Sequence, residues 1–269
     1  MKLSEAIEKL ERAGVDDPRG DATEIFLRIG GYDRISLMLS DPDTDDGRVI
    51  DAVLRRAERE PLQYIIGEVF FYRESYEVNE SCLIPRSDTE HLVEYAVKNL
   101  PEGASFLDLC TGSGCVGIST LCNTKNTSAT LVDISEGALR TASRNAERNG
   151  VSHRLRLVLC DVMNEVVEGE YYAVLSNPPY VKDAVYETLA KEIFREPKIA
   201  FVGGIDGADF YRRLTEVYKT RLARGGFIAY EIGYDQAELL CDIAKINGMS
   251  CEIIKDFSGN DRVAVLKGL

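Results

Sequence analysis

The chain has 269 residues, room for one sizeable domain and a small one, with an ordinary globular make-up of 45% hydrophobic and 29% charged residues. No apolar run approaches the roughly 20 residues that span a bilayer. The net charge of −13 sets up a field that repels polyanions, so neither a membrane nor a nucleic-acid backbone is the expected partner. A protein or a small molecule is favoured.

The opening MKLSEAIEKLERAG is charged throughout, lacks the apolar core of a secretory signal and is too acidic for a transit peptide. It predicts the first helix of a cytoplasmic protein, with Leu3, Ile7 and Leu10 at helical spacing. DPDTDDG reads as a loop with a capping signal, and RVIDAVLRRAERE as the helix it starts, running up to Pro61. Residues 1–62 are thus expected to form a small helical domain. YIIGEVFFYRESYEVNESCLI alternates too loosely for a helix and predicts a β-hairpin linker over 63–85.

From residue 86 to 269 strands and helices alternate. ASFLDL, ATLVD, RLRLVLC, YYAVLS and FIAYEI are short apolar strands, and SEGALRTASRNAERNG is a helix stopped at Gly150. The fold class is α/β, a mostly parallel, Rossmann-like sheet with helices on both faces. CEIIKDFSGNDRVAVLK adds an antiparallel terminal hairpin that closes one edge. The seven cysteines include no CxxC and lie in apolar surroundings, which predicts free thiols in a reducing compartment. With only His91 and His153, no transition-metal site is expected.

DLCTGSGCVG follows the first strand of this domain and opens a helix, with a literal GxGxxG at Gly112, Gly114 and Gly117. Asp133 closes the next strand, where a carboxylate can accept from ribose hydroxyls, and by that rule alone the site takes a dinucleotide. Asp108, Thr111 and Ser113 could instead engage an amino-acid ammonium or carboxylate, and Asp161 an adenine amino group. Polar points at successive strand ends suit S-adenosylmethionine better than NAD.

YAVLSNPPYV decides between them. Asn177 before a proline is held extended, and Pro178 and Pro179 fix φ and carry no N–H. A stiff loop at the carboxyl end of a central strand then presents two acceptors, the Asn177 amide oxygen and the Pro178 carbonyl, with Tyr180 as an aromatic wall. That set matches a planar –NH₂ group. Gripping both N–H bonds aims a delocalised lone pair at an electrophile and stabilises the growing positive charge.

DLCTGSG, LVDIS, NA-x-x-NG and SNPPYV in this order resemble the motifs of class I S-adenosylmethionine-dependent methyltransferases that act on amino groups, whose sheet is seven-stranded. PLQYIIGE, IPRSDTEHLVE, EPKIAFVGGIDGADFYRRL and GGFIAYEIGYDQ narrow the resemblance to the HemK/PrmC family of glutamine methyltransferases. The resemblance implies methyl transfer to the side-chain amide nitrogen of the glutamine in the GGQ motif of peptide chain release factors, tuning translation termination. It implies S-adenosyl-L-methionine as cofactor, S-adenosyl-L-homocysteine as product and a monomer that binds no nucleic acid directly. N6-adenine and guanine-N2 methyltransferases use the same asparagine–proline–proline logic on a flipped base, and the charge of −13 argues against them here.

Carried onto this chain, Asn177 and Pro178 would hold the glutamine amide, with Pro179 and Tyr180 beside it. Cys110 to Gly114 would meet the methionine part of the cofactor, Asp133 and Ile134 its ribose side, and Asp161 with Val162 its adenine. Arg86, Thr89 and Glu90 would line the pocket, and Glu196 with Pro197 the substrate entrance. Three positions depart from the family's pattern. Cys110 stands where glycine is usual, Ser87 where proline is frequent, and Val162 where some relatives carry an aromatic. They bear on affinity and leave every reacting group in place.

Overall fold

The computed structural model describes residues 1–269, which divide into two compact units. The first comprises Met1–Glu68 with Ala190–Arg195, the second Val69–Leu189 with Glu196–Leu269.

The first unit is built from short helices, three of which start at a carboxylate cap. These are α1 (Leu3–Arg12), α2 (Pro18–Arg28), α3 (Arg34–Leu39), α4 (Gly47–Ala57) and α5 (Leu62–Ile66). Asp17, Asp33 and Asp46 each accept a backbone N–H in the first turn of α2, α3 and α4. The faces so aligned bury Leu10, Ile25, Phe26, Val49 and Val53 together. Arg56 is buried, and its guanidinium bonds Asp21 at 2.6 Å and Glu192 at 3.1 Å, which ties residues 190–195 into this unit.

The expected 63–85 hairpin is shorter than the sequence suggested. Pro61 starts a helical turn that Gly67, at φ +79°, ends. Only β1 (Glu68–Phe71) and β2 (Glu74–Glu77) pair, and the stretch from Val78 to Arg86 has no regular structure.

The second unit runs through α6 (Glu90–Asn99), β3 (Ser105–Leu109), α7 (Cys115–Cys122), β4 (Ser128–Asp133), α8 (Glu136–Arg148), β5 (Leu155–Leu159) and β6 (Tyr171–Ser176). It continues with α9 (Asp183–Tyr186), α10 (Asp209–Tyr218), β7 (Leu222–Glu231), α11 (Ala237–Ile246), β8 (Met249–Lys255) and β9 (Asp261–Gly268). The seven strands lie in the order β5-β4-β3-β6-β7-β9-β8, parallel except that β9 is antiparallel to both neighbours. β7 starts earlier than FIAYEI predicts, because Leu222 pairs with Tyr171 ahead of a register shift in the ladder. One apolar cluster, including Phe106, Leu131 and Phe227, covers one face of the sheet, and another, including Leu107, Tyr211 and Ile228, covers the other.

The chain moves outward from β3 to β4 and β5, then returns to the other side of β3 as β6. Leu109, Val132, Ser176 and Tyr230 stand side by side in the register, so the strands end level with one another. This reversal of strand order is where open α/β sheets take their ligands.

Candidate active site

The turn after β3 is unusual in having three residues at positive φ, namely Cys110 at +59°, Gly112 at +56° and Gly114 at +83°. Two are glycines. Cys110 is not, and a β-carbon in this region costs about 1–2 kcal/mol. The surrounding structure holds it there. Ser176 Oγ donates to Leu109 O at 2.6 Å, and Thr111 N donates to Val132 O at 3.0 Å. A glycine at position 110 would meet this backbone demand without strain, and the cysteine keeps that geometry.

Gly117 serves packing and touches no cavity. A β-carbon there would lie 2.8 Å from Leu131 and 2.9 Å from Asp108 Oδ2. That space admits the Asp108 carboxylate, whose Oδ2 accepts from Gly117 N at 2.9 Å and from the Thr111 hydroxyl. Its Oδ1 is buried with no hydrogen-bond partner, as is Ser113 Oγ. Burial raises the Asp108 pKa to about 7, against the pull of its two donors. A half-satisfied buried carboxyl beside a glycine turn awaits a cation or a hydrogen-bond donor.

Around this turn opens a cavity of about 290 Å³. Cys110 and Gly112 form one side and Asp133, Ile134, Asp161 and Val162 another. Asn177 and Pro179 close it from β6. Asp133 is fixed by Gly112 N at 2.8 Å and Ser135 N at 2.9 Å. Burial still lifts its pKa above the ordinary carboxylate range. Asp161 accepts from Met163 N at 3.0 Å and from Asn164 Nδ2 at 2.7 Å. A narrower recess shares Leu83, Cys110, Gly112 and Asn177 with this cavity and reaches Thr89, Asp108, Thr111 and Ser113.

Asn177 donates Nδ2–H to Thr89 Oγ1 at 3.2 Å, which leaves its acceptor oxygen for a ligand. Pro178 and Pro179 are buried. Gln236 Nε2 donates to Tyr180 O at 3.1 Å and Gly207 O at 3.3 Å, pinning the loop from behind.

Several expected residues lie off the cavity wall. Gly114 caps α7. Tyr180 packs against the core beneath β7 and donates its hydroxyl to Glu231 Oε1 at 3.2 Å, so it stands behind the motif and is not the aromatic wall expected. Arg86 and Glu196 pair with each other, and Glu90 accepts Tyr72 N at 2.8 Å, which turns it toward the β1–β2 hairpin. The sequence reading missed the apolar mouth formed by Leu83, Ile199 and Phe210, whose residue types carry no distinguishing spacing.

Comparison with known proteins agrees with this geometry. The Methyltransferase small domain model matches residues 88–204 and the PrmC N-terminal domain model residues 2–67. A release factor glutamine methyltransferase of Thermodesulfovibrio yellowstonii is 36% identical, over 92% of this chain and 91% of that one. The chain belongs to the release factor glutamine methyltransferase family. Another member, from Nitratidesulfovibrio vulgaris, is 36% identical over 97% of this chain and 92% of its own length. The solved structure of a methyltransferase from Pyrococcus furiosus, 24% identical, superposes with a TM-score of 0.53 over 72% of this chain and 89% of that one, a likeness of fold. This family member thus carries a methyltransferase fold whose strand ends converge on Asn177 and the glycine turn.

Proposed function

We propose that the chain transfers the methyl group of S-adenosylmethionine to the side-chain amide nitrogen of the glutamine in the GGQ motif of peptide chain release factors. The observation that carries this reading is the Asn177 carboxamide at the cavity wall, its nitrogen engaged by Thr89 and its oxygen free to accept.

The residues around the cavity fit the cofactor. The open Asp108 Oδ1 and Ser113 Oγ suit the amino-acid ammonium and carboxylate. The turn from Cys110 to Ser113 takes the methionine chain, Asp133 and Ile134 the ribose, and Asp161 with Val162 the adenine. Bound there, S-adenosylmethionine supplies an electrophilic methyl on sulfur and leaves as S-adenosylhomocysteine.

Asn177 Oδ1 and the Pro178 carbonyl accept the two amide N–H bonds of the substrate and orient its nitrogen lone pair. As the N–C bond forms the nitrogen turns cationic, and these fixed dipoles meet that charge without reorganising, an effect of several kcal/mol. The nitrogen then releases a proton to water. Leu83, Ile199 and Phe210 give the entrance an apolar lining that sheds water from the amide.

Mass spectrometry of a release factor incubated with the chain and labelled cofactor tests this. One added methyl on the GGQ glutamine is expected, and a parallel incubation with duplex DNA stays unlabelled. Label on DNA alone overturns the reading.

A further inference from the structure

Away from the methyl-transfer site, two thiols face each other. Cys241 lies on α11 and Cys251 on β8, and Cys241 Sγ donates to Cys251 Sγ at 2.9 Å. Both side chains are half-buried, so small molecules in solution can reach them. Cys82 and Cys122, by contrast, aim their thiols at the backbone carbonyls of Asn79 and Asn149.

The turn between helix and strand sets the two sulfurs level. α11 ends at Ile246, and Gly248 at φ +68° sends the chain back as β8, which starts at Met249 and packs against the helix. Cys241 stands five residues back along the helix, a climb of about 7.5 Å. Cys251 stands two residues into the strand, a climb of about 6.6 Å. The climbs match, and the side chains meet. A disulfide holds its sulfurs at about 2.05 Å, so closing the present gap of 2.9 Å takes a movement of under about 1 Å.

β8 is the outermost strand of the sheet and is hydrogen-bonded to β9 alone. One row of its backbone groups therefore has no partner strand. A bond from Cys251 to Cys241 would close a short covalent loop over 241–251, fasten this edge to α11 and restrict the unfolded chain.

We propose that Cys241 and Cys251 form a thiol–disulfide exchange site, at which a low-molecular-weight disulfide oxidises the pair to a cross-link that staples the edge strand to the helix. One protein thiolate attacks the small disulfide, breaks its S–S bond and releases one small thiol. The second protein sulfur then attacks the mixed disulfide and displaces the other small thiol. The two protein thiols lose two electrons and two protons, and the small disulfide gains both as two thiols. Neither cysteine lines either cavity, so the site is independent of the reading of Asn177.

The test incubates the reduced full chain with oxidised glutathione, blocks remaining thiols with N-ethylmaleimide and maps peptides by mass spectrometry without reduction. A peptide pair joined through Cys241 and Cys251, two hydrogens lighter than the separate thiols and free of glutathione, is expected. Cys241→Ser and Cys251→Ser are each expected to abolish it and to leave glutathione on the surviving cysteine. Glutathione retained on both cysteines of the parent, a bond from either to another cysteine, or no reaction at either overturns the proposal. Melting of the oxidised parent before and after dithiothreitol reads the staple. Tm is expected to stand roughly 5 °C higher in the cross-linked chain, with no such difference in Cys251→Ser. A cross-link that leaves Tm unchanged or lowers it overturns the stapling role. Methylation of release factor is expected to be the same in both forms of the parent.

Discussion

Glu196 Oε2 accepts the backbone N–H of Ile84 at 2.9 Å, joining the segment before Arg86 to the loop that follows the asparagine–proline–proline turn. Its other oxygen pairs with Arg86, and the residue is only 5% exposed. Burial raises its pKa, and the Arg86 charge and the Ile84 N–H oppose the rise. Glu196→Ala leaves that N–H buried and unmatched, at an expected cost of about 1–3 kcal/mol in urea denaturation. Glu196→Gln keeps an acceptor for Ile84 and should cost clearly less. Equal losses for the two substitutions would show that the Ile84 bond is not what matters.

Asn177→Ala removes one fixed transition-state contact and leaves the glycine turn untouched. Turnover with release factor is expected to fall by roughly 10²-fold or more. Cofactor affinity, measured by calorimetry, should stay close to the parent value.

Asp108 gives an opposite sign from a carboxylate paired with a cation at the surface, whose pKa its partner lowers. Its folded pKa of about 7 stands above the ordinary 3.8, so between those values the folded chain holds a proton that the unfolded chain has released. Stability of the cofactor-free chain is therefore expected to decline as pH rises through that window. A bound ammonium favours the ionised form, so cofactor affinity is expected to tighten over the same range. Asp108→Asn should flatten both profiles. Denaturation and binding at about pH 5 and about pH 8 read the two effects separately.

Every residue around the two cavities belongs to the second unit, which has its own apolar clusters. A chain lacking residues 1–67, the PrmC N-terminal domain match, is expected to keep cofactor binding and to lose methylation of intact release factor. Calorimetry and mass spectrometry on the same preparation check the pair of outcomes.

The alternating strands and helices were legible because periodicity 2 and helical spacing are written locally, and Pro178 and Pro179 announce their own backbone. Asp133, Asp161 and Asn177 line one cavity because strand ends in a parallel sheet converge whatever lies between them. Tyr180 was misplaced because its destination depends on Glu231, a strand away in the sheet and 51 residues along the chain. Tyr64–Ile66 was read as the start of a hairpin because so short a run carries no period of its own, and Pro61 and Gly67 settle the ends of the helical turn that holds it. The Thr89–Asn177 bond spans 88 residues, and no local pattern announces it.

Three of the seven cysteines, Cys82, Cys110 and Cys160, stand around the cavity. Burial raises the pKa of each, that of Cys82 to about 11. Sulfur attacks carbon electrophiles as thiolate, and at neutral pH these side chains keep their protons. An alkylating ligand held among them is shielded from capture by sulfur, so thiolate does not compete inside the chamber with a poor nucleophile such as a carboxamide.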